Sequence, residues 1–99
     1  MTEYYDQPME QLFRVIRDLD TEEECRNFFE DICTIKEIQN MAQRLEAAIL
    51  LNRGMGYQQI SRQMGISTTT ITRVSKCLNY GSGGYKMAIE RLAETEEKK

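Results

Sequence analysis

The sequence predicts an all-α fold of six helices that contains a helix-turn-helix. Apolar residues recur at intervals of three and four along most of the 99 residues, which is the spacing of an amphipathic helix. Aspartate, threonine or serine precedes four of these stretches, and such residues commonly cap helix N-termini. No stretch shows the strict alternation of apolar and polar residues that predicts a strand.

The first three helices are predicted from their N-terminal caps. Asp6 followed by a proline in the first turn predicts a helix over residues 8–19. Thr21 with a glutamate three residues later has the spacing of a capping box and predicts a second helix. The same spacing recurs at Thr34, which opens a long third helix that we expect to end near Gly54.

Two short helices and a final helix follow. Residues 57–64 form the first short helix, and Gly65 ends it. Ser67 is a suitable N-cap for the second, so the helix-turn-helix occupies residues 57–78. The glycine- and serine-rich residues 79–84 are expected to form a loop, and residues 85–94 a last helix.

The composition predicts one globular domain over residues 1–99. Apolar residues make up 40% of the chain and charged residues 29%, and no apolar run approaches the length of a membrane span. The N-terminus has neither the basic start nor the apolar stretch of a secretory signal. We therefore expect a cytoplasmic protein without a membrane partner.

Cysteine and histidine usage argues against a metal site and against an enzyme. The chain has three cysteines without a CxxC pair, and it has no histidine. The chain therefore lacks the usual ligand pattern of a zinc site, and it lacks histidine, the commonest general base. The hydroxyl groups of residues 67–72 also have no paired carboxylates near them in sequence. We expect no metal, no catalytic residue and reduced cysteines that act as small apolar side chains.

Charge is distributed unevenly. Residues 1–40 carry 4 Lys/Arg and 11 Asp/Glu, whereas residues 41–80 carry 5 and 1. No acidic side chain occurs from Ala47 to Ile89. A polyanion such as double-stranded DNA could approach this stretch without repulsion, although a neutral surface rich in hydroxyl groups would show the same pattern.

The second short helix has the features of a DNA-recognition helix. Such a helix presents its N-terminal residues to the major groove, and its orphan N–H groups can hold a phosphate. Hydroxyl, methyl and cationic side chains on its outer face suit base edges and phosphates, and part of the first short helix is expected to touch the backbone or an outer base. An ordinary helical hairpin with a solvated threonine face is the alternative. The candidate DNA-binding residues are Gln58, Ser61, Ser67, Thr68, Thr69, Thr72, Arg73 and Lys76.

The sequence resembles the Trp repressor superfamily, and within it the YerC/YecD-type branch of Trp repressor-related proteins. The resemblance covers about residues 28–92. It implies an intertwined homodimer in which helices of residues 8–53 and 85–94 interlock across the two-fold axis. The motifs that carry the resemblance are Arg44-Leu45, Leu51-Asn52-Arg53-Gly54, Gln59-Ile60, Met64-Gly65 and, most specifically, Thr70-Ile71-Thr72-Arg73.

The resemblance also implies an effector pocket for a small anionic or amino-acid corepressor. Arg44 and Arg73 match the two arginines that sandwich the indole ring of tryptophan in the repressor. Thr70 matches a pocket threonine, and Thr34 a residue that the partner chain lends. Val74 stands where the repressor has glycine, so we expect less room for an indole ring. Cys77 replaces a serine of the pocket.

These observations predict a sequence-specific DNA-binding transcriptional regulator, and more narrowly a repressor. They leave its effector open, and Val74 favours a regulator that works without tryptophan. The rival hypothesis is a helical protein-interaction module that binds through its acidic N-terminal third and keeps a vestigial helix-turn-helix. DNA binding that weakens with salt would separate the two.

Overall fold

A computed structural model describes residues 5–97 and shows six α-helices in that range, with no strand. The all-α prediction is confirmed. Within the same residues, no helix combines the length and the apolar character that a membrane span requires. The helices are α1 (Gln7–Arg17), α2 (Glu22–Ile32), α3 (Ile35–Asn52), α4 (Tyr57–Met64), α5 (Thr68–Tyr80) and α6 (Gly84–Glu97).

The described residues divide into two compact units, one up to Ile38 and one from Gln39 onward. The prediction of one domain over residues 1–99 stays a prediction, and its first four and last two residues lie outside the described range.

The predicted N-terminal caps are present in the first unit. The Asp6 carboxylate accepts a 3.0 Å hydrogen bond from the Met9 N–H group. Thr34 and Glu37 form the complete capping box, because each side chain accepts from the other residue's N–H group, at 3.1 and 2.8 Å. At Thr21 the box is modified, since the glutamate three residues on accepts from the residue before the threonine. These local bonds set where α1, α2 and α3 begin.

The first unit leaves its apolar side chains only partly covered. No residue of α1 or α2 is buried. Phe13 is 48% exposed and Ile32 is 54% exposed, although both lie on the apolar stripes of their helices. Neither helix therefore has a fully buried side chain, and part of each apolar stripe is open.

The core of the second unit lies where α3, α4 and α5 meet. Ile60 of α4 and Ile71 of α5 are fully buried against the C-terminal half of α3. Apolar side chains pack the two short helices together, namely Ile60, Met64, Ile66, Ile71 and Val74. Tyr85 and Ile89 bring α6 onto the same cluster.

Helices α5 and α6 are longer than predicted. The expected loop over residues 79–84 is reduced to residues 81–83. The Asn79 side chain donates a 2.9 Å hydrogen bond to the Ser75 carbonyl, and the Gly81 N–H group donates to the Cys77 carbonyl, so helical bonding continues through Tyr80. The turn itself needs Gly83, whose φ is +88°. The helix-turn-helix therefore ends at residue 80 rather than 78, and α6 extends to residue 97 rather than 94.

Candidate nucleic-acid interface and neighbouring pocket

The turn between α4 and α5 has the expected helix-turn-helix conformation. Gly65 ends α4 in the left-handed region, with φ 70° and ψ 32°, and its N–H group donates to the Ser61 carbonyl at 2.9 Å. Because only glycine adopts this conformation without strain, the turn is specified by that residue. The Ser61 hydroxyl then donates to the Ile66 carbonyl at 2.7 Å and closes the turn from the side of α4.

The N-terminus of α5 is capped by Ser67 as predicted. Its hydroxyl oxygen accepts from the Thr70 N–H group at 3.2 Å and lies 3.1 Å from the Thr70 hydroxyl oxygen. The N–H groups of Thr68 and Thr69 have no acceptor within residues 5–97. These two donors, together with the helix dipole, leave a partial positive charge at the start of α5.

One face of α5 is buried and the other is free. Ile71, Val74, Ser75 and Leu78 are buried. The opposite face carries the side chains that the sequence singled out, all of them exposed: Thr68, Thr69, Thr72, Arg73 and Lys76. We call these five residues the reading face.

Hydrogen bonding within α5 limits what Thr72 can offer. Its hydroxyl donates a 2.8 Å hydrogen bond to the Thr68 carbonyl one turn earlier. The hydroxyl proton is therefore not free for a base edge, and Thr72 presents its methyl group and an acceptor oxygen. A methyl group of this kind suits contact with a thymine methyl.

The two candidate residues of α4 differ in their surroundings. Gln58 is exposed in the first turn of the helix. Ser61 is half-buried, and its hydroxyl proton is already donated inside the turn. DNA contact by Ser61 stays a prediction, but the structure gives this residue a second role as a structural clamp.

The electrostatics of the reading face favour an anion. Arg73 and Lys76 form no salt bridge with the described side chains of residues 5–96, where the ion pairs present are Arg17–Asp18 and Arg26–Glu22. The segment that contains α4 and α5 has no carboxylate side chain. Cationic groups on this face are therefore not neutralised by the described chain.

A cavity of about 510 Å³ lies beside the reading face, between α3, α5 and α6. This is within the range of small-molecule sites. Five of the six predicted effector residues line it, namely Arg44, Thr70, Arg73, Val74 and Cys77. Thr34 was predicted to come from a partner chain; in its own chain it caps α3, and its role in the pocket stays a prediction.

The chemistry of the cavity is cationic on two sides. Arg44 and Arg73 both line it, and no lining residue carries a carboxylate. Arg44 makes no salt bridge with the described side chains of residues 5–96. Val74 forms part of the wall while remaining only 3% exposed, because most of its side chain packs into the core.

Three residues of the cavity were not predicted from the sequence. Asn40, Gln43 and Tyr85 also line the cavity. Asn40 and Gln43 precede Arg44 by four and by one, so the helical period could have placed Asn40 on the same face. Cys77 is exposed in the cavity wall, which differs from the expected packing of cysteines as small apolar side chains, whereas Cys25 and Cys33 are half-buried.

Comparison with known proteins gives consistent matches. The family described as Trp repressor protein matches residues 7–93. The chain is 52% identical over 88 residues to the uncharacterized protein YerC of Bacillus subtilis, which covers 89% of this chain and 85% of YerC. A crystal structure of a TrpR-like protein from Eubacterium eligens matches with a TM-score of 0.85 and 44% identity, over 92% of this chain and 94% of the other. A candidate Trp repressor from Staphylococcus aureus matches with a TM-score of 0.84 and 37% identity, over 92% and 91%.

Proposed function

Because the chain belongs to the Trp repressor family, we propose that it is a sequence-specific DNA-binding transcriptional regulator, a repressor, whose α5 enters the major groove. The observation that carries this proposal is the reading face, which combines exposed hydroxyl, methyl and cationic groups on a segment without carboxylates. Such a surface matches the two needs of DNA recognition, which are attraction to phosphates and contact with base edges.

The residues of the reading face have different proposed roles. Thr68, Thr69 and Thr72 lie in the first two turns of α5, where a recognition helix meets base edges. Lys76 lies a turn later, where the helix leaves the groove and meets phosphates. Gln58, in the first turn of α4, contacts the DNA backbone or an outer base pair.

We propose that the protein acts as a homodimer. Apolar side chains of α1 and α2 such as Phe13 and Ile32 are about half exposed in the described chain, and a second copy is the partner that the family resemblance implies. A dimer with two-fold symmetry would present two copies of α5 to two half-sites about one helical turn apart. The operator is therefore expected to be close to palindromic.

We propose that the cavity next to α5 binds a small anionic or amino-acid corepressor. Its two arginines can stack on a flat group and pair with a carboxylate. Arg73 belongs to both the cavity and the reading face. A ligand that holds Arg73 would change the charge and position of a DNA-facing group, which links the cavity to DNA affinity.

The decisive test is selection of bound DNA from a random pool, with and without amino acids, followed by salt titration of the selected sequence. We expect one enriched, near-palindromic sequence and an affinity that falls steeply with salt. Thr69→Glu, which places a carboxylate on the reading face, should abolish binding, whereas the matched change Thr95→Glu at an exposed position of α6 should not. No enrichment, and no binding that weakens with salt, would favour the rival protein-interaction module.

A further inference from the structure

The short helix α4 has few internal means of holding its position. It has eight residues, and isolated helices of this length are unstable in water. Its N-cap is Gly56, which has no side chain to bond the free N–H groups of the first turn. Ile60 is its buried residue. The orientation of the first turn must therefore come from contacts with other elements.

One such contact joins the first residue of α4 to the middle of α5. The Tyr57 hydroxyl donates a 2.7 Å hydrogen bond to the Ser75 hydroxyl oxygen. Ser75 is 8% exposed and is the one buried polar side chain among residues 5–96, whose burial the structure describes. Tyr57 itself is 41% exposed, so the bond is part-buried and only its Ser75 end is sheltered from water. A buried acceptor with a fixed direction still restricts the tyrosine more than a fully solvated partner would.

Ser75 is itself held in place. The Asn79 side-chain amide donates to the Ser75 carbonyl at 2.9 Å and to its hydroxyl oxygen at 3.3 Å. Ser75, the acceptor for Tyr57, is thus held within α5 by Asn79, one turn later in the same helix. The three side chains form a connected polar group, which we call the Tyr57–Ser75–Asn79 network.

We propose that Tyr57 is a positioning residue that, through Ser75, holds the first turn of α4 and with it Gln58 at a set place relative to the reading face. Gln58 follows Tyr57 directly in the chain, so the tyrosine backbone carries it. At the other end of α4, the Ser61 hydroxyl performs the same task by bonding the Ile66 carbonyl. The consequence for DNA recognition rests on the proposed function, whereas the mechanical role does not.

The mechanical role is tested by amide hydrogen exchange on the full chain. The Ile60 N–H group donates to the Gly56 carbonyl in the first turn, and the Gly65 N–H group donates to the Ser61 carbonyl in the last. In Tyr57→Phe, exchange at Ile60 should rise about 3- to 10-fold relative to Gly65. Ser75→Ala should do the same, and the double variant should add nothing further. Tyr80→Phe is the control, because that tyrosine is 86% exposed.

The consequence for recognition is tested with the selected DNA. Discrimination at the outer base pairs should fall about 3- to 10-fold in Tyr57→Phe, and this loss should vanish in a Gln58→Ala background. A purely structural role would weaken binding to all sequences equally. Unchanged Ile60 exchange in Tyr57→Phe, or an equal rise at Ile60 and Gly65, would overturn the proposal. If the parent protein bound no DNA, the proposed function would fail, and the exchange ratio would still decide the role of Tyr57.

Discussion

The Ser61 hydroxyl donates a 2.7 Å hydrogen bond to the Ile66 carbonyl, so a side chain of α4 closes the turn that leads into α5. Ser61→Ala should lower the free energy of unfolding by about 1 kcal/mol, because the half-buried Ile66 carbonyl loses its donor. Denaturant unfolding measures the change. Gln63→Ala, at an exposed position of the same helix, should have almost no effect. Equal stabilities of the two variants would contradict the clamp.

Gly65 has a conformation that other residues adopt only with strain. Its φ is 70°, and no atom would block a β-carbon there, so the cost of substitution comes from the backbone alone. Gly65→Ala should destabilise the protein by about 1 to 2 kcal/mol. Gly84→Ala is the matched control, because Gly84 begins α6 in open space without a positive φ. It should be neutral or slightly stabilising, and thermal unfolding compares the two.

Thr72 and Lys76 should affect DNA binding in different ways. Lys76→Ala should weaken binding to all sequences and reduce the salt slope by about one unit, since one phosphate contact is lost. Thr72→Ala should change which sequence is selected. Because the Thr72 hydroxyl is bonded to its own helix, Thr72→Ser should behave like Thr72→Ala if the methyl group reads the base. Selection from random DNA with the two Thr72 variants and salt titration of Lys76→Ala check this. An unchanged selected sequence for both Thr72 variants, with an unchanged affinity for Lys76→Ala, would disprove the assignment.

Tryptophan should bind weakly or not at all, because Val74 contributes to the cavity wall. Calorimetry of the parent protein measures this directly, and micromolar affinity would refute it. Val74→Gly should gain affinity for tryptophan. Since Val74 is 3% exposed and lies mid-helix, the same change should cost about 2 to 3 kcal/mol of stability. Val74→Ala also enlarges the cavity but loses less stability, so it serves as a second variant if Val74→Gly does not fold.

The protein should be an obligate homodimer whose thermal midpoint rises with concentration. Light scattering should show twice the mass of the 11.6 kDa chain at micromolar concentration, and a folded species of 11.6 kDa would contradict this. Phe13→Glu should weaken the dimer, since this ring is 48% exposed in the single chain. Arg14→Glu, the next residue of the same helix, is exposed as well and should leave the dimer intact.

The sequence alone determined the six helices and most of their starting points. Caps such as Asp6 and the Thr34–Glu37 box join atoms three residues apart, so their geometry follows from local order. The end of α4 at Gly65 follows from the freedom of glycine to adopt a positive φ, and the exposed face of α5 follows from the helical period. The predicted ends of α5 and α6 differ from the observed ends by two and three residues. Helix α5 runs through Asn79 and Tyr80, despite their weak helix propensity, because Asn79 hydrogen-bonds to the preceding turn.

Tertiary structure decided how these helices are joined into sites. The bond between Tyr57 and Ser75 connects residues 18 positions apart, and no local pattern marks either as the partner of the other. The cavity also depends on tertiary structure. Asn40, Arg73 and Tyr85 lie on three different helices, and the packing of α3, α5 and α6 brings them to one site. Period and capping describe each helix separately, whereas packing selects which faces meet. For that reason the candidate DNA-binding residues could be named from the sequence, whereas the residues that hold them in place, such as Tyr57 and Ser75, could not.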